Sequence, residues 1–363
     1  MSKNLIISLH PDLRNHALCL LRDLVPIGWV RLLCHAWAKE QWGNSAGNAQ
    51  YHFILKKYES TSLYCTLHHE GGIPEWSNAT ENLDLWFLTK NPQPPSPLLT
   101  QSCLYYWPLG DGVLDWFIPI LSTPWQQEMA WKHGHKKHIL MDSTFGVCST
   151  CVLVFFLMVV DKRNVGIPVG SIIFTPWKDA KAGHTSYDGP LLKELLGLFK
   201  EGMGMNKDGE PFDIQVANTD NDSRECFALV EVWPVIFLLL CLFHTWQAWH
   251  NGLTQTLCCV PKGPPHQEVW KHLWKFLMWL LKEITGYSET IAAYNQELSY
   301  FQSLGTSKNS KLNKKMSQGG LAFLAYLKTY LHVRSLWMSW SKAGVLEAAC
   351  ILNFPAKNVQ VKY

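Results

Sequence analysis

Residues His138–Phe174 read HILMDSTFGVCSTCVLVFFLMVVDKRNVGIPVGSIIF, and their pattern decides the fold. Three apolar runs follow one another: Ile139–Val147, Val152–Asp161 and Ile167–Phe174. Asp161-Lys162-Arg163-Asn164-Val165-Gly166 separates the second from the third. Runs of this length, rich in β-branched and aromatic residues and joined by short polar turns, predict an antiparallel meander. One residue interrupts the pattern. Asp142 sits inside the first strand, where a carboxylate is costly to bury without a partner or a task. A cap at a strand-edge turn is the structural alternative for it.

Downstream, the pattern predicts a helix over Gly189–Phe199, a polar loop Gly202–Gly209 and a strand Phe212–Thr219. A helix over Ser223–Trp233 and a strand Val235–Leu240 follow. The order β-β-β-α-β-α-β mixes hairpins with crossovers, so the expected fold is α/β, a mixed five-stranded sheet flanked by helices. Thr219-Asp220-Asn221-Asp222 ends the fourth strand. Asp222, just before Ser223-Arg224-Glu225, suits a helix cap, which leaves Asp220 for a ligand role. Asp142 and Asp220 on neighbouring strands are what an oxygen-loving divalent cation, Mg²⁺ or Mn²⁺, requires for phosphoryl transfer. Cys241-x-x-His244 follows the fifth strand. Zinc would need four ligands, which Cys148 and Cys151 could complete. The alternatives are that this cysteine pair packs in a hairpin and that His244 orients a phosphate or braces the acidic pair.

The flanks are less informative. Residues 1–120 read as a mostly helical region, with packing and an accessory or DNA-binding role as the alternatives, and Pro11 and Pro26 break Leu5–Trp37 into short helices. Cys65 with His68 and His69 gives half of a zinc pattern with no second pair at finger spacing. Glu75–Phe87 predicts a helix, Asn91–Pro97 an extended proline-rich link, Trp116–Leu121 a strand and Thr123–Trp131 a helix. Residues 121–250 form the expected catalytic core. Residues 251–363 read as helical, through His266–Glu283, Ser288–Ser303, Leu321–Trp340 and Gly344–Leu352. The basic stretch Thr306–Lys315 reads as a solvated linker, with phosphate contact or nuclear targeting as the alternative.

Composition sets the bounds. The chain has 363 residues, a net charge of +3 and 18 Trp, enough aromatic volume for a large core. That charge permits nucleic-acid binding without arguing for it. Eleven irregularly spaced Cys and a start without a secretory pattern point to a reducing compartment. The apolar runs Cys151–Val160 and Cys226–Phe243 are too short or too interrupted for membrane spans and read as buried elements.

The ordered set Met141-Asp142-Ser143-Thr144-Phe145-Gly146, Gly166-Ile167-Pro168-Val169, Thr219-Asp220, Trp233-Pro234 and Cys241-x-x-His244 resembles Mutator-like transposases. Gln126-Gln127 upstream adds to the likeness, which covers roughly residues 120–255. The resemblance implies an RNase H-like fold whose DDE triad cuts DNA at transposon ends and joins them to a target. It makes Asp142 and Asp220 the first two carboxylates, which hold the metal. Cys241 and His244 become the family's CxxH pair, and the helices after His250 an insertion before the third carboxylate. It also implies DNA as partner, a homo-oligomer and a nuclear location, with no membrane association.

The chain departs from the pattern at the third carboxylate. No Glu-Ser-x-Asn-like motif occurs, and Glu289, Glu297 and Glu347 fall in the expected insertion. The expectation is therefore a catalytic region that stops before its third carboxylate, with weak or lost strand transfer. The competing readings are a non-catalytic, transposase-derived DNA-binding or interaction protein, and another RNase H-like nuclease that takes a Glu from the helical region.

Overall fold

The computed structural model describes residues 8–23, 25–43, 52, 54–70, 79–89, 97–108, 117–145, 152–175, 187–306, 311–356 and 359. The chain forms two compact units, Met1–Thr100 and Gln101–Tyr363. The sheet, together with the helices that follow it, belongs to the second.

In the first unit, helices α1 (Pro11–Arg22), α2 (Ile27–Trp42) and α3 (Lys57–Glu70) enclose Leu13, Ala17, Val30, Cys34 and Leu63. The prolines act as helix starts. Pro11 occupies the first turn of α1, where no amide is needed, and Pro26 precedes α2. Arg22 at the end of α1 clasps Glu70 of α3 through both carboxylate oxygens, at 2.8 and 3.1 Å. Cys65 lies within α3. The short helix α4 (Ala79–Asp84) continues as a π-helical turn, Leu85–Thr89, and α5 (Pro97–Ser102) leads into the second unit.

The second unit is built on a seven-stranded sheet: β1 (Cys103–Trp107), β2 (Ile118–Leu121), β3 (His138–Phe145), β4 (Leu153–Val160), β5 (Gly166–Phe174), β6 (Val216–Thr219) and β7 (Phe237–Leu240). Their order across the sheet is β1-β2-β5-β4-β3-β6-β7. The expected meander is β3-β4-β5, and β3, β6 and β7 run parallel. The five-stranded expectation is corrected by β1 and β2, which extend the antiparallel side beyond β5. β2 falls within the strand expected over Trp116–Leu121, although its Pro119 cannot donate to a ladder. The proline is accommodated because it faces only Tyr106 of β1, while Ile120 and Leu121 make the pairing to β5.

The β4–β5 turn shows how local chemistry sets the register. The Asp161 carboxylate accepts from the amides of Arg163 and Val165, and Asn164 takes the left-handed conformation at φ 64°. An Asx turn with Asn at the left-handed position closes this hairpin.

Helices cover both faces. α6 (Pro124–His133) begins with a capping box between Thr123 and Gln126. α7 (Gly189–Gly202) and α8 (Ser223–Val232) pack on one face around Leu192, Leu195, Phe199, Ala228 and Leu229. The later helices are α9 (Leu242–Thr256), α10 (Pro264–Lys282), α11 (Tyr287–Thr306), α12 (Lys311–Leu331), α13 (Arg334–Trp340) and α14 (Lys342–Leu352). They form a second core around Trp249, Phe301, Phe323, Trp337 and Trp340. α14 covers β6 and β7 on the other face, through Val345, Ala348 and Ala349 against Val216 and Leu239.

Two expectations for this region change. The linker expected over 306–315 is partly helix, since α12 begins at Lys311. Its exposed lysines are good helix formers, and the buried Met316, Ser317, Gly319 and Gly320 carry the helix onto its neighbours. The single helix expected over Leu321–Trp340 breaks at His332-Val333. Among the described residues, no helix is long and apolar enough to cross a membrane.

Candidate metal centre

Three parallel strands deliver the acidic residues to one edge. Leu140 of β3 stands opposite Asn218 of β6, and Thr219 of β6 opposite Leu240 of β7. Continuing those registers puts Asp142, Asp220 and Cys241 in one row across β3, β6 and β7. Neighbouring strands lie about 4.8 Å apart, so the row is narrow. It lies toward the carboxyl ends of the parallel strands, where α/β sheets open to ligands.

Alternation along the strands assigns the faces. Ile139, Met141 and Ala217 enter the core beneath α7 and α8. His138, Leu140, Asp142 and Asn218 therefore fall on the opposite face. There His138 Nε2 lies 3.0 Å from Asn218 Oδ1, and Asn218 Nδ2 donates to the Val359 carbonyl at 3.4 Å. Burial drives the His138 ring down to about 4, so it is neutral at pH 7. Phe156, the cross-strand partner of Asp142 on β4, is an exposed aromatic.

Asp142 is half-buried, and its carboxyl is raised above the ordinary range. Burial is the main cause and the Asp220 charge the next, while His244 opposes them. Asp220 forms an ion pair with Nδ1 of His244. That carboxylate first, and Cys241 second, push His244 up to about 10, so the ring is an imidazolium at neutral pH. His244 thus pairs with Asp220 at the acidic end of the row. Asp220, Cys241 and His244 each offer a ligand atom, and the three atoms lie within 4.8 Å of one another. The α9 helix explains the cluster. Cys241 caps it and His244 stands in its first turn, so one turn of helix returns both side chains to the Asp220 loop.

The loop after β6 is held on both sides. Asp222 caps α8, accepting from the Arg224 amide at 2.9 Å, as its sequence position predicts. Asn221 Nδ2 donates to the Tyr330 hydroxyl of α12 at 2.7 Å, and the Tyr330 ring packs edge-on against Trp249 of α9. Asp220 lies between these two anchors.

Glu225 is a residue that the sequence reading missed. It is buried on the α8 side, accepts from the Thr219 hydroxyl and from Tyr187 at 3.3 Å, and hydrogen-bonds Ser143. Burial raises its carboxyl to about 7 despite those bonds. Ser143 follows Asp142 and Thr219 precedes Asp220, so Glu225 ties together the two strands from behind. Its sequence context, three residues after a capping Asp, reads as a capping box and gives no hint of this.

The remaining glutamates are placed otherwise. Glu297 pairs with His272 at 2.6 Å, while Glu289 and Glu347 are exposed on α11 and α14. Cys148 and Cys151, the other half of the four-ligand zinc option, lie outside the described residues.

No family model matches the chain, and no curated protein matches it. The site is therefore defined by its geometry alone.

Proposed function

We propose that the chain is a transposase-type protein whose Asp142 and Asp220 hold Mg²⁺ or Mn²⁺ for DNA strand cleavage and transfer. Catalysis in this chain is weak or lost, because no third carboxylate joins the pair among the described residues. One observation carries the proposal: strand register sets two carboxylates, more than seventy residues apart in sequence, side by side in one row toward the carboxyl ends of parallel strands. The meander followed by two parallel strands, with helices between, supports an RNase H-like core within the larger sheet.

The donor set suits a hard divalent cation, since both carboxylates offer oxygen on rigid strands. Bound there, such an ion would polarise a phosphate and activate the attacking oxygen. The chain's own residues do the positioning. His244 holds Asp220 in place, Glu225 ties β3 to β6, and Asn221 fixes the loop to the helical layer. DNA as partner, self-association and a nuclear location belong to the same proposal.

A second assignment has its own observation. Asp220, Cys241 and His244 make a mixed oxygen, sulfur and nitrogen set, which favours zinc over magnesium once the ion has displaced the proton on His244. The two sites share Asp220, so they compete.

Calorimetric titration of Mn²⁺ and Zn²⁺ into the full chain, Asp142→Asn, Cys241→Ser and the Asp142→Asn/Asp220→Asn double variant separates them. The proposal expects Mn²⁺ binding that Asp142→Asn loses and Cys241→Ser keeps, with little nicking or joining of DNA. Mn²⁺ binding that survives the double variant would remove the metal site. Efficient strand transfer would remove the inference of weakened catalysis.

A further inference from the structure

A continuous path of ring contacts leaves the metal cluster along the outside of α9 and α10. The His244 ring meets Phe243 edge-on at 5.3 Å, and Phe243 stacks with Trp246 at 6.1 Å. Trp246 stacks with His250 at 5.6 Å and meets Trp274 of α10 at 5.7 Å. Trp274 in turn stacks with Trp270 at 5.1 Å and an interplanar angle of 15°. The spacing explains the path: residues 243, 246 and 250 share one face of α9, and 270 and 274 share one face of α10.

Core packing accounts for only part of this strip: Trp270 and Trp274 pack against the helical core, and Phe243 and Trp246 do not belong to it. Trp249, on the same helix, is fully buried among Tyr330 and Trp340. Phe243 is 54% exposed, and Trp246, His250, Trp270 and Trp274 are all partly open to solvent. Charge follows the strip on its outer side. Lys271, Lys275 and Lys282 are exposed, and the helical repeat of about 100° per residue puts them in one row beside Trp274. Glu268, one heptad before Lys275, ends that row on its N-terminal side, so the positive stretch runs from Lys271 to Lys282.

We infer that the strip Phe243–Trp246–His250–Trp274–Trp270 is a stacking platform for an unpaired nucleic-acid strand, with its backbone along the lysine row and one end at the metal cluster. It rests on the proposed function for what happens at that end, and it supplies a partner for the site. Flat rings beside a row of positive charge are the combination that holds single strands without reading their sequence, since every base presents a face to stack. A duplex keeps those faces covered. The choice of an unpaired strand therefore follows from the rings, and the lysines alone would not distinguish it.

The test is fluorescence anisotropy of the full chain with labelled oligo(dT), oligo(rU) and a DNA duplex of equal length. It is run in EDTA so that no metal contributes. The expected result is tighter binding of a single strand than of duplex, and the tighter of oligo(dT) and oligo(rU) identifies the natural strand. Phe243→Ala should weaken single-strand binding about fivefold or more, and Phe243→Tyr should restore it. Lys271→Gln with Lys275→Gln should lower the salt dependence of log K by about 0.7 for each lysine. Tighter binding of duplex, or unchanged affinity in Phe243→Ala, would overturn the inference. Because Asp142 and Asp220 play no part in this assay, its failure is distinguishable from failure of the metal site.

Discussion

Asp142→Asn should stabilise the protein while abolishing its response to metal. In the wild type, Asp142 pays for partial burial and for the nearby charge of Asp220, both of which raise its carboxyl. At the general spacing of neighbouring strands, about 4.8 Å, and an effective dielectric constant of about 20, two like charges repel by about 3 kcal/mol. Solvent at the half-buried site and the opposing imidazolium of His244 reduce the net cost to about 1 kcal/mol. For a unit of this size, that amount corresponds to a rise in Tm of about 2–4 °C in the Asn variant. The sign with pH follows from linkage. Below the ordinary Asp value the carboxyl is neutral in both folded and unfolded chains, so the variant gains nothing. Its advantage grows as the unfolded chain ionises, and levels off above the raised value of Asp142. Saturating Mn²⁺ should act oppositely. At a hundredfold excess over Kd it adds about 2.7 kcal/mol to the wild type, roughly 5–11 °C, and little to the variant. Thermal unfolding followed by circular dichroism, at pH 5 and pH 8 and with or without Mn²⁺, measures all four quantities. A lower Tm for Asp142→Asn without metal would show that the carboxylate has a structural role. An undiminished Mn²⁺ shift in the variant would show that it is not a ligand.

Two further pH effects follow from buried groups, with opposite signs. His138 is held near 4, below its unfolded value, so wild-type stability should fall as pH drops from about 6.5 to 4, by at most about 3 kcal/mol; His138→Gln, measured by urea unfolding across that window, should flatten the fall, and an equal decline in the variant would contradict the burial argument. Glu225 is held near 7, above its unfolded value, so its contribution is complete below about 4.5 and is lost as pH rises toward and through 7. Glu225→Gln should therefore match or exceed wild-type stability at pH 8 while losing its advantage at pH 4, and a variant less stable at both would show that the ionised carboxylate is needed.

The sequence determined the strand meander, the two following strands, the helices between them and the assignment of Asp222 as a cap. Each of these depends on local periodicity or on hydrogen bonds between near neighbours, which the order of residues encodes directly. It also singled out Asp142, Asp220 and His244, because charged or titratable groups in or beside apolar strands stand out. It predicted β2 within Trp116–Leu121, but neither the pairing of β2 with β5 nor β1, a short aromatic edge strand. Nor did it show that Asp220 engages His244, that Glu225 binds Ser143 and Thr219 from behind, or that rings of α9 and α10 line up. Those relations depend on strand register and on helix docking. A shift of one residue in β6 would send Asp220 to the opposite face of the sheet, so only the tertiary structure decides which charges meet.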